Sequence, residues 1–441
     1  MDTINNDCLI HILSHLPDYE KVKLSQVCKR WYDVHKYTLN SMNFDYDLYI
    51  SDDTCKNWFD KYGKSVKKIS THITQFDKNY QETLHKLFYK NMYKMNLNHV
   101  KNIEYINFNI FKNIKILIIT YNPNLVDISS ISTLKDLKEL TIQLCGLKNI
   151  NGIEKLTSMR KLVLRDNSIK HIPTSINHLE QLQSLDISNN LIDKLPSTFY
   201  DLSNLKNLTI SRVDIDSERI SKLTSLVFLN ATYCKFTGTT DVFKNLKNLE
   251  ILILAHSSII EFPISIVSLL KLQTLNISET EISKIPNQIV KLKNLVALNA
   301  MKCNLTSIPK SMVRMRKLES LNLSDNFINS IPNVLYNLNV KSLNLSKNLI
   351  EKLGEKIQLL KNIQYLDLSD NLIKYLPYNI KKLDILKHLI LSCNELKCLP
   401  MSLTNMPNLE YCNVKGNLDL IVSRLYFDAN IFKIDYDNLI E

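Results

Sequence analysis

The chain has 441 residues, of which 45% are hydrophobic and 22% are charged, and these proportions are ordinary for a folded protein with a large core. Its six glycines stand at least six residues apart, which excludes a GxGxxG dinucleotide loop, a Walker phosphate loop and a GxSxG nucleophile elbow. The net charge of +11 rests on 47 Lys and only eight Arg, spread along the chain, and therefore does not favour a dedicated nucleic-acid site.

Cysteine usage and the shortness of the apolar runs indicate in which cellular compartment the protein resides. The nine cysteines include no CxxC pair and are odd in number, which argues against a zinc site and against a disulfide framework. The polar N-terminus is unlike a signal peptide, and no apolar run reaches the roughly 18 residues of a membrane span. We therefore expect a cytoplasmic or nuclear protein (in the host cytoplasm if the chain is viral) with no metal site, no cofactor and no membrane contact.

The N-terminal segment predicts short amphipathic helices. Apolar residues recur at i, i+3, i+4 and i+7, and Pro17 followed by Asp18 separates one such run from the next. Helices this short cannot bury their apolar faces within about 40 residues, so a partner or the rest of the chain must cover them. The periodic residues are Leu9, Ile12, Leu13 and Leu16, then Leu24, Val27, Cys28 and Trp31.

The segment from Ile4 to Trp31 resembles an F-box. The resemblance rests on the LxxIL pattern that starts at Leu9 and above all on the closing VCKRW, while Ile4-Asn5 stands where F-boxes usually open with Leu-Pro. It implies that residues 1–45 dock to a Skp-family adaptor; the alternative is a helical cap on the rest of the chain. The residues assigned to the adaptor contact are Ile4, Leu9, Ile12, Leu13, Leu16, Pro17, Val22, Leu24, Val27 and Trp31.

A period of 23 residues governs most of the remaining chain. The unit LxxLxLxxNxIxxIPxxIxxLxx recurs about 14 times across residues 100–417 and is similar to the leucine-rich repeat. Its alternating LxL predicts a strand with two buried residues, and its IP ends strand pairing because Pro has no N–H to donate. One repeat cannot bury its own apolar face, so neighbours must stack. The expected fold is an α/β solenoid, a horseshoe with a concave parallel sheet.

The two flanks of the repeats are less regular. Near-helical spacing of Leu84, Leu87, Phe88 and Met92 favours a helical linker and N-terminal cap over residues 46–99, and residues 418–441 are expected to cap the other end.

The position of the repeat unit that is written N, after the LxL strand, is here called the Asn slot. An amide at this position can donate to and accept from backbone groups where the chain leaves the strand. Cys145, Cys234 and Cys303 occupy the same slot, which indicates structural rather than reactive thiols. The asparagines in the slot are Asn122, Asn167, Asn190, Asn326, Asn348, Asn371, Asn394 and Asn417.

Some repeats depart from the Ser, Thr and Asn that usually flank the buried strand residues. A cluster of aromatic and aliphatic side chains on an exposed sheet is typical of an interaction hot spot, although drift in composition would give the same pattern. The predicted substrate-binding residues are Phe228, Asn230, Thr232, Tyr233, Ile251, Ile253, His256, Met301, Tyr365, His388 and Ile390, with Tyr411 beside them.

The motifs favour a binding protein over an enzyme, since no catalytic constellation is visible. Repeats after an F-box imply the non-catalytic substrate-recognition subunit of a cullin–RING ubiquitin ligase, with a protein substrate on the concave face. The IPxxIxxL repeats also resemble those of cytoplasmic Ras-pathway scaffolds, so a signalling scaffold that never engages the ligase is the alternative. The excess positive charge lies outside residues 1–45 and is compatible with an acidic protein partner.

Overall fold

The structure is a computed structural model that describes residues 93–100, 103, 106–237, 242–420 and 433–436, together with the backbone of 41–44 and 68–71. The chain forms two compact units, residues 1–209 and 210–441, and each is described by itself.

The first unit is built on parallel strands that pair in chain order. The boundary between the two units falls within its last strand. The strands are β1 (Ser41–Phe44), β2 (Lys68–Thr71), β3 (Lys94–Asn98), β4 (Ile116–Thr120), β5 (Glu139–Gln143), β6 (Lys161–Val163), β7 (Ser184–Asp186) and β8 (Asn207–Ser211).

The parallel strands extend beyond both predicted ends of the repeats. β2 and β3 lie within 46–99, which the sequence pattern assigned to a helical linker and cap. β1 lies at the end of 1–45, which it assigned to the helical F-box. Ser41 pairs with Lys68 and Lys68 with Lys94, so these neighbours are 27 and 26 residues apart, too far for the 23-residue period to reveal them. β20 likewise follows residue 417. The predicted helical stretch from Leu84 to Met92 lies outside the described residues.

The second unit repeats the arrangement and adds one irregular region. β9 and β11 pair with each other outside the main sheet, and the four-residue helix α1 (Ser217–Ile220) follows β9. The strands are β9 (Asp214–Asp216), β10 (Phe228–Thr232), β11 (Lys235–Thr237), β12 (Ile251–Ile253), β13 (Thr274–Asn276), β14 (Ala297–Asn299), β15 (Ser320–Asn322), β16 (Ser342–Asn344), β17 (Tyr365–Asp367), β18 (His388–Ile390), β19 (Tyr411–Asn413) and β20 (Lys433–Asp435).

Short 3-10 helices return the chain on the side opposite the strands. Proline precedes most of them in an extended conformation, for example Pro286 with φ of −75° and ψ of 152°, because its ring fixes φ and it needs no N–H partner. The helices span Phe108–Phe111, Ile131–Thr133, Ile153–Lys155, Thr174–His178 and Ser197–Asp201 in the first unit, and Ile264–Ser268, Asn287–Lys291, Lys310–Arg314, Leu335–Asn337, Glu355–Leu359, Tyr378–Lys382 and Met401–Asn405 in the second.

The core of each unit lies between its strands and its return segments. The two apolar residues of LxL are buried in each repeat, as with Leu321 and Leu323, while the residues on either side of Leu321 stay partly or fully exposed. The apolar residues of the return segment, such as Met312 and Leu318, close the core from the other side. Each repeat depends on its neighbours because both layers extend across repeats.

The Asn slot holds the turns together, as its chemistry predicts. The Asn326 amide donates to the carbonyls of Ala300, Leu323 and Ser324 at 2.9–3.0 Å. Its oxygen accepts from the backbone N–H groups of Cys303 and Leu305 at 3.0 and 2.9 Å. Because Ala300, Cys303 and Leu305 belong to the preceding repeat, one side chain ties two repeats together.

The cysteines of the slot are structural, in agreement with the sequence interpretation. The Cys303 Sγ donates to the carbonyl of Ile277 at 3.0 Å, where an amide would otherwise bond. Burial raises the pKa of the Cys145 and Cys234 thiols to about 11, and that of Cys412, in a buried strand position, to about 12. A thiol with so high a pKa is protonated at neutral pH and is a poor nucleophile.

Candidate functional site

The sheet face of the second unit is the candidate binding surface, defined by the first and third residues of strands β10 and β12–β19. These residues are partly exposed while the middle residue is buried. Among the positions that define this surface, Asp367 is the only Asp, Glu, Lys or Arg. The net charge of +11 therefore lies elsewhere, and this face offers no excess of positive charge to an acidic partner.

The first apolar cluster on this face, here called the Phe228 patch, comprises Phe228, Ile251 and Ile253. Phe228 is in register with Ile251, and Ile253 is in register with Asn230. All three side chains are half-buried, so each offers apolar surface to a partner while its base packs on the sheet. The structure thus brings these predicted residues together.

Two other predicted residues of this region have a role within the fold. The Asn230 oxygen accepts from the backbone N–H of Thr232 at 3.1 Å and from the Thr232 hydroxyl at 2.6 Å. The same bond to the backbone two residues on recurs in neighbouring repeats, for instance at Asn276 and Asn322. Asn230 and Thr232 are therefore explained by the turn, and their part in binding stays a prediction.

A ladder of side chains runs along the turns that follow the strands. It starts with Arg212, whose guanidinium carbon lies 4.9 Å from the centre of the Tyr233 ring. The Tyr233 ring stacks on His256 with centroids 4.2 Å apart and planes 14° from parallel. The three residues have φ of 57°, 61° and 54°, so each occupies the same left-handed turn position of its repeat.

The ladder continues through ionic contacts. His256 Nε2 lies 3.0 Å from Glu279 Oε1, and Lys302 Nζ lies 3.2 Å from Glu279 Oε2. The Glu279 carboxylate raises the pKa of the Lys302 ammonium through this hydrogen bond. We call Arg212, Tyr233, His256, Glu279 and Lys302 the turn ladder.

Sequence reasoning identified Tyr233 and His256 but missed the rest of the turn ladder. The missed residues are Arg212, Glu279 and Lys302, which share the position directly before the Asn slot. Comparing that position alone from repeat to repeat would have found them, because residues that are 23 apart in sequence are neighbours in a stack of repeats.

A second cluster, the Tyr365 patch, comprises Tyr365, His388, Ile390 and Tyr411. The first strand residues are in register, and the His388 ring lies 6.1 Å from that of Tyr365 and 6.3 Å from that of Tyr411. The Tyr411 hydroxyl donates to Asp435 Oδ2 at 2.7 Å, and this bond raises the pKa of Tyr411 to about 12. Burial raises the pKa of Tyr365.

The two patches are separate surfaces. The strands β13–β16 lie between them and present small side chains at the first position, namely Thr274, Ala297, Ser320 and Ser342, and Asn at the third. Five strand spacings of about 4.8 Å place β12 and β17 roughly 24 Å apart. Met301 follows β14 inside the gap and belongs to neither patch.

The remaining predictions concern other parts of the chain. All ten residues assigned to the adaptor contact, from Ile4 to Trp31, lie outside the described residues. Within the described ranges, no helix is both long and apolar enough to cross a membrane. The described part of the chain also contains no group of three His, Cys, Asp or Glu side chains that is placed to bind a metal ion.

Comparison with known families assigns both parts of the chain. The family model of the F-box domain matches residues 2–35, and that of the leucine-rich repeat region matches residues 116–253 and 229–340. The repeat model thus covers residues 116–340, just over half of the chain. A search of the curated proteins found no match to this chain.

Solved structures share the fold. A leucine-rich-repeat protein of Leptospira interrogans is 26% identical, with a TM-score of 0.76 over 86% of this chain and 97% of its own. The ectodomain of a plant receptor kinase from Arabidopsis thaliana, bound to Casparian strip integrity factor 2, is 20% identical, with a TM-score of 0.62 over 83% of this chain and 49% of its own.

The functional domain of InlJ from Listeria monocytogenes, which includes a cysteine ladder, is 16% identical, with a TM-score of 0.60 over 82% of this chain and 76% of its own. At such identities the last two proteins show the fold alone. Both modules of this chain, the F-box and the repeat solenoid, are protein-interaction modules. The chain therefore belongs to the leucine-rich-repeat family and carries an F-box domain before its repeats.

Proposed function

We propose that this chain is the non-catalytic substrate-recognition subunit of a cullin–RING ubiquitin ligase of the SCF type. The observation that carries the proposal is the order of its modules, an F-box at residues 2–35 followed by a leucine-rich-repeat solenoid with an exposed sheet face. The F-box docks to a Skp-family adaptor, and the repeats hold a protein substrate.

The sheet face of the second unit supports a substrate site. A face of mostly Asn, Ser and Thr with Asp367 as its one charged residue, broken by the Phe228 and Tyr365 patches, suits a partner with apolar anchor residues and hydrogen-bonding groups around them. The turn ladder lies at the end of the same strands and supplies Tyr233 and His256 as a rim that is held in place by its own contacts. Preorganised side chains lose little conformational entropy on binding, which favours affinity.

The mechanism requires no catalytic side chain in this chain. Holding a substrate lysine beside a charged conjugating enzyme converts a bimolecular encounter into a nearly intramolecular one, and this raises the effective concentration of the lysine. The specificity of the reaction then rests on which proteins the repeats retain.

The decisive experiment is co-purification of the full chain with a purified Skp-family adaptor. We expect a one-to-one complex that is lost when Leu13 and Trp31 are both changed to Ala, because the sequence pattern predicts both residues on apolar faces of the F-box. Phe228→Ala in the same assay serves as the control and should leave the complex intact. Failure of the full chain to bind any Skp-family adaptor would favour the signalling scaffold instead.

A further inference from the structure

The return side of the second unit carries a basic region. From Ile282 to Leu318 the sequence contains eight Lys and Arg and no Asp or Glu. The return segments of three consecutive repeats, residues 263–273, 286–296 and 309–318, likewise contain no acidic residue. This is where part of the +11 charge lies, on the side opposite the sheet face.

Six cations form what we call the return-side basic surface. They come from two adjacent repeats and are all exposed. Some lysines elsewhere in this unit pair with carboxylates, as Lys341 does with Glu319 at 2.9 Å and Lys387 with Glu410 at 2.6 Å. Within the described part of the chain, none of the six forms an ion pair. The six are Lys291, Lys293, Lys310, Arg314, Arg316 and Lys317.

The backbone beneath these cations is held firmly. The Ser311 hydroxyl donates to the carbonyl of Asn287 at 2.7 Å, and this bond links the two 3-10 helices. Lys317 Nζ donates to Asn294 Oδ1 at 2.8 Å, a neutral acceptor that leaves the charge of the ammonium uncompensated. The cations therefore repel one another on a fixed scaffold, and an anionic partner relieves that repulsion.

Exposed aliphatic side chains accompany the cations. Leu270 is 59% exposed and takes, one repeat earlier, the position of Lys293, while Val313 is 40% exposed and precedes Arg314. The three return segments contain no Phe, Tyr or Trp on which nucleic-acid bases could stack. Cations mixed with aliphatic surface suit a protein segment that carries both carboxylates and apolar side chains.

We propose that the return-side basic surface binds an acidic protein segment with interspersed aliphatic residues. The surface is remote in the repeat from the sheet face, so the unit can hold this segment while a substrate occupies the Phe228 patch. The proposal does not depend on the F-box engaging an adaptor, because it rests on charge and exposure within residues 263–318 alone.

The test uses the full chain and a fluorescein-labelled 16-residue peptide of Glu and Asp with Leu at every fourth position. Fluorescence anisotropy should show binding that weakens as salt is raised, since the contacts are solvent-exposed ion pairs. The triple variant Lys291→Glu, Arg314→Glu and Lys317→Glu should bind at least about tenfold more weakly. Circular dichroism of the variant should match that of the native chain, because all three side chains are exposed.

A matched variant controls for net charge. Lys352→Glu, Lys397→Glu and Lys415→Glu change the charge by the same amount at exposed positions outside the surface and should leave peptide affinity within about twofold. Equal loss in both triple variants would overturn the proposal, because the peptide would then sense only overall charge.

Two further probes identify the class of partner. The peptide with Ser in place of Leu should bind more weakly, and unchanged affinity would overturn the inferred aliphatic contact. Single-stranded RNA of 16 nucleotides and phosphatidylserine vesicles should bind less well than the peptide. Tighter binding of either, lost in the Lys291, Arg314 and Lys317 variant, would assign the surface to nucleic acid or lipid and overturn the proposal.

Discussion

The repeats of the second unit fall into two groups that fill the Asn slot differently. In the later repeats the slot is always Asn, whereas in the earlier repeats it never is. The earlier repeats are also the ones that carry the turn ladder and the Phe228 patch. The slot residues are Val213, Cys234, Ser257, Thr280 and Cys303 in the earlier group, and Asn326, Asn348, Asn371, Asn394 and Asn417 in the later group.

The two groups also differ in the hydrogen bonds that their slot residues make to the backbone. In the later repeats the side-chain amides bond inward to the backbone, as Asn348 does to the carbonyls of Leu323 and Leu345. In the earlier repeats the inward bonds are fewer. The Thr280 hydroxyl and the Cys303 thiol each donate to the carbonyl of Ile277, whereas the buried Ser257 hydroxyl has no hydrogen bond among the described residues. A group of repeats with fewer internal ties is typical of a functional region.

Removing an inward amide should have the largest effect on stability. Asn326→Ala leaves the N–H groups of Cys303 and Leu305 without their acceptor, and we expect a loss of about 3 kcal/mol in the free energy of unfolding. Urea denaturation measures the change. Asn329→Ala, an exposed position of the same repeat, should cost less than about 0.5 kcal/mol, and equal losses would contradict the role of the slot.

Thiol chemistry should separate the slot cysteines from the exposed ones. A pKa of about 11 in place of 9.0 lowers the thiolate fraction of Cys145 and Cys234 by about a hundredfold at pH 8, and burial slows their reaction further. Timed alkylation followed by mass spectrometry should label Cys393 and Cys398 before Cys145 and Cys234. Rapid labelling of Cys234 in the native protein would show that the earlier repeats open readily.

The binding role of the earlier repeats should appear in substrate capture. Phe228→Ala combined with Tyr233→Ala removes an apolar anchor and the central ring of the turn ladder, and each change should cost about 1–2 kcal/mol of binding free energy. Quantitative pull-down from cells measures the loss, while adaptor binding should be unchanged. Tyr378→Ala, an exposed tyrosine of a return segment in the later group, is the control. A double variant that retains every bound protein would rule out this assignment.

The smallest expected effect concerns the last strands. The hydrogen bond to Asp435 raises the pKa of Tyr411 to about 12, above its unfolded value of about 10, so its contribution to stability is present below pH 10 and is lost as the pH rises through 12. The same bond lowers the pKa of Asp435, and that contribution is present above about pH 4 and is lost as the pH falls through the folded value.

Tyr411→Phe should therefore be slightly less stable than the native chain at pH 7, and the difference should shrink towards pH 12. Urea unfolding at the two pH values measures it, and the difference in absorbance at 295 nm reports the late ionisation of Tyr411. Ionisation of Tyr411 near pH 10, together with the other tyrosines, would contradict the bond.

The repeat pattern predicted much of the structure because each position of the unit requires its residue type for a simple physical reason. Alternation identified the buried strand residues, and the Asn and Cys of the slot were assigned their structural role correctly. The pattern failed at β1–β3, where neighbouring strands are separated by 26 or 27 residues and the period is lost. The structure divides the predicted substrate-binding residues between the Phe228 and Tyr365 patches, with four strands between them.

The sequence by itself determined the 23-residue unit, the stacking of repeats and the F-box resemblance, because each follows from the spacing of apolar and special residues along the chain. Only the tertiary structure decided which side chains of different repeats meet. Stacking places residues 23 positions apart side by side, so that Tyr233 lies on His256 and Glu279 bridges His256 and Lys302. It also separated a sheet face with a single charged residue, Asp367, from a basic return side, and the net charge of +11 does not reveal that distinction.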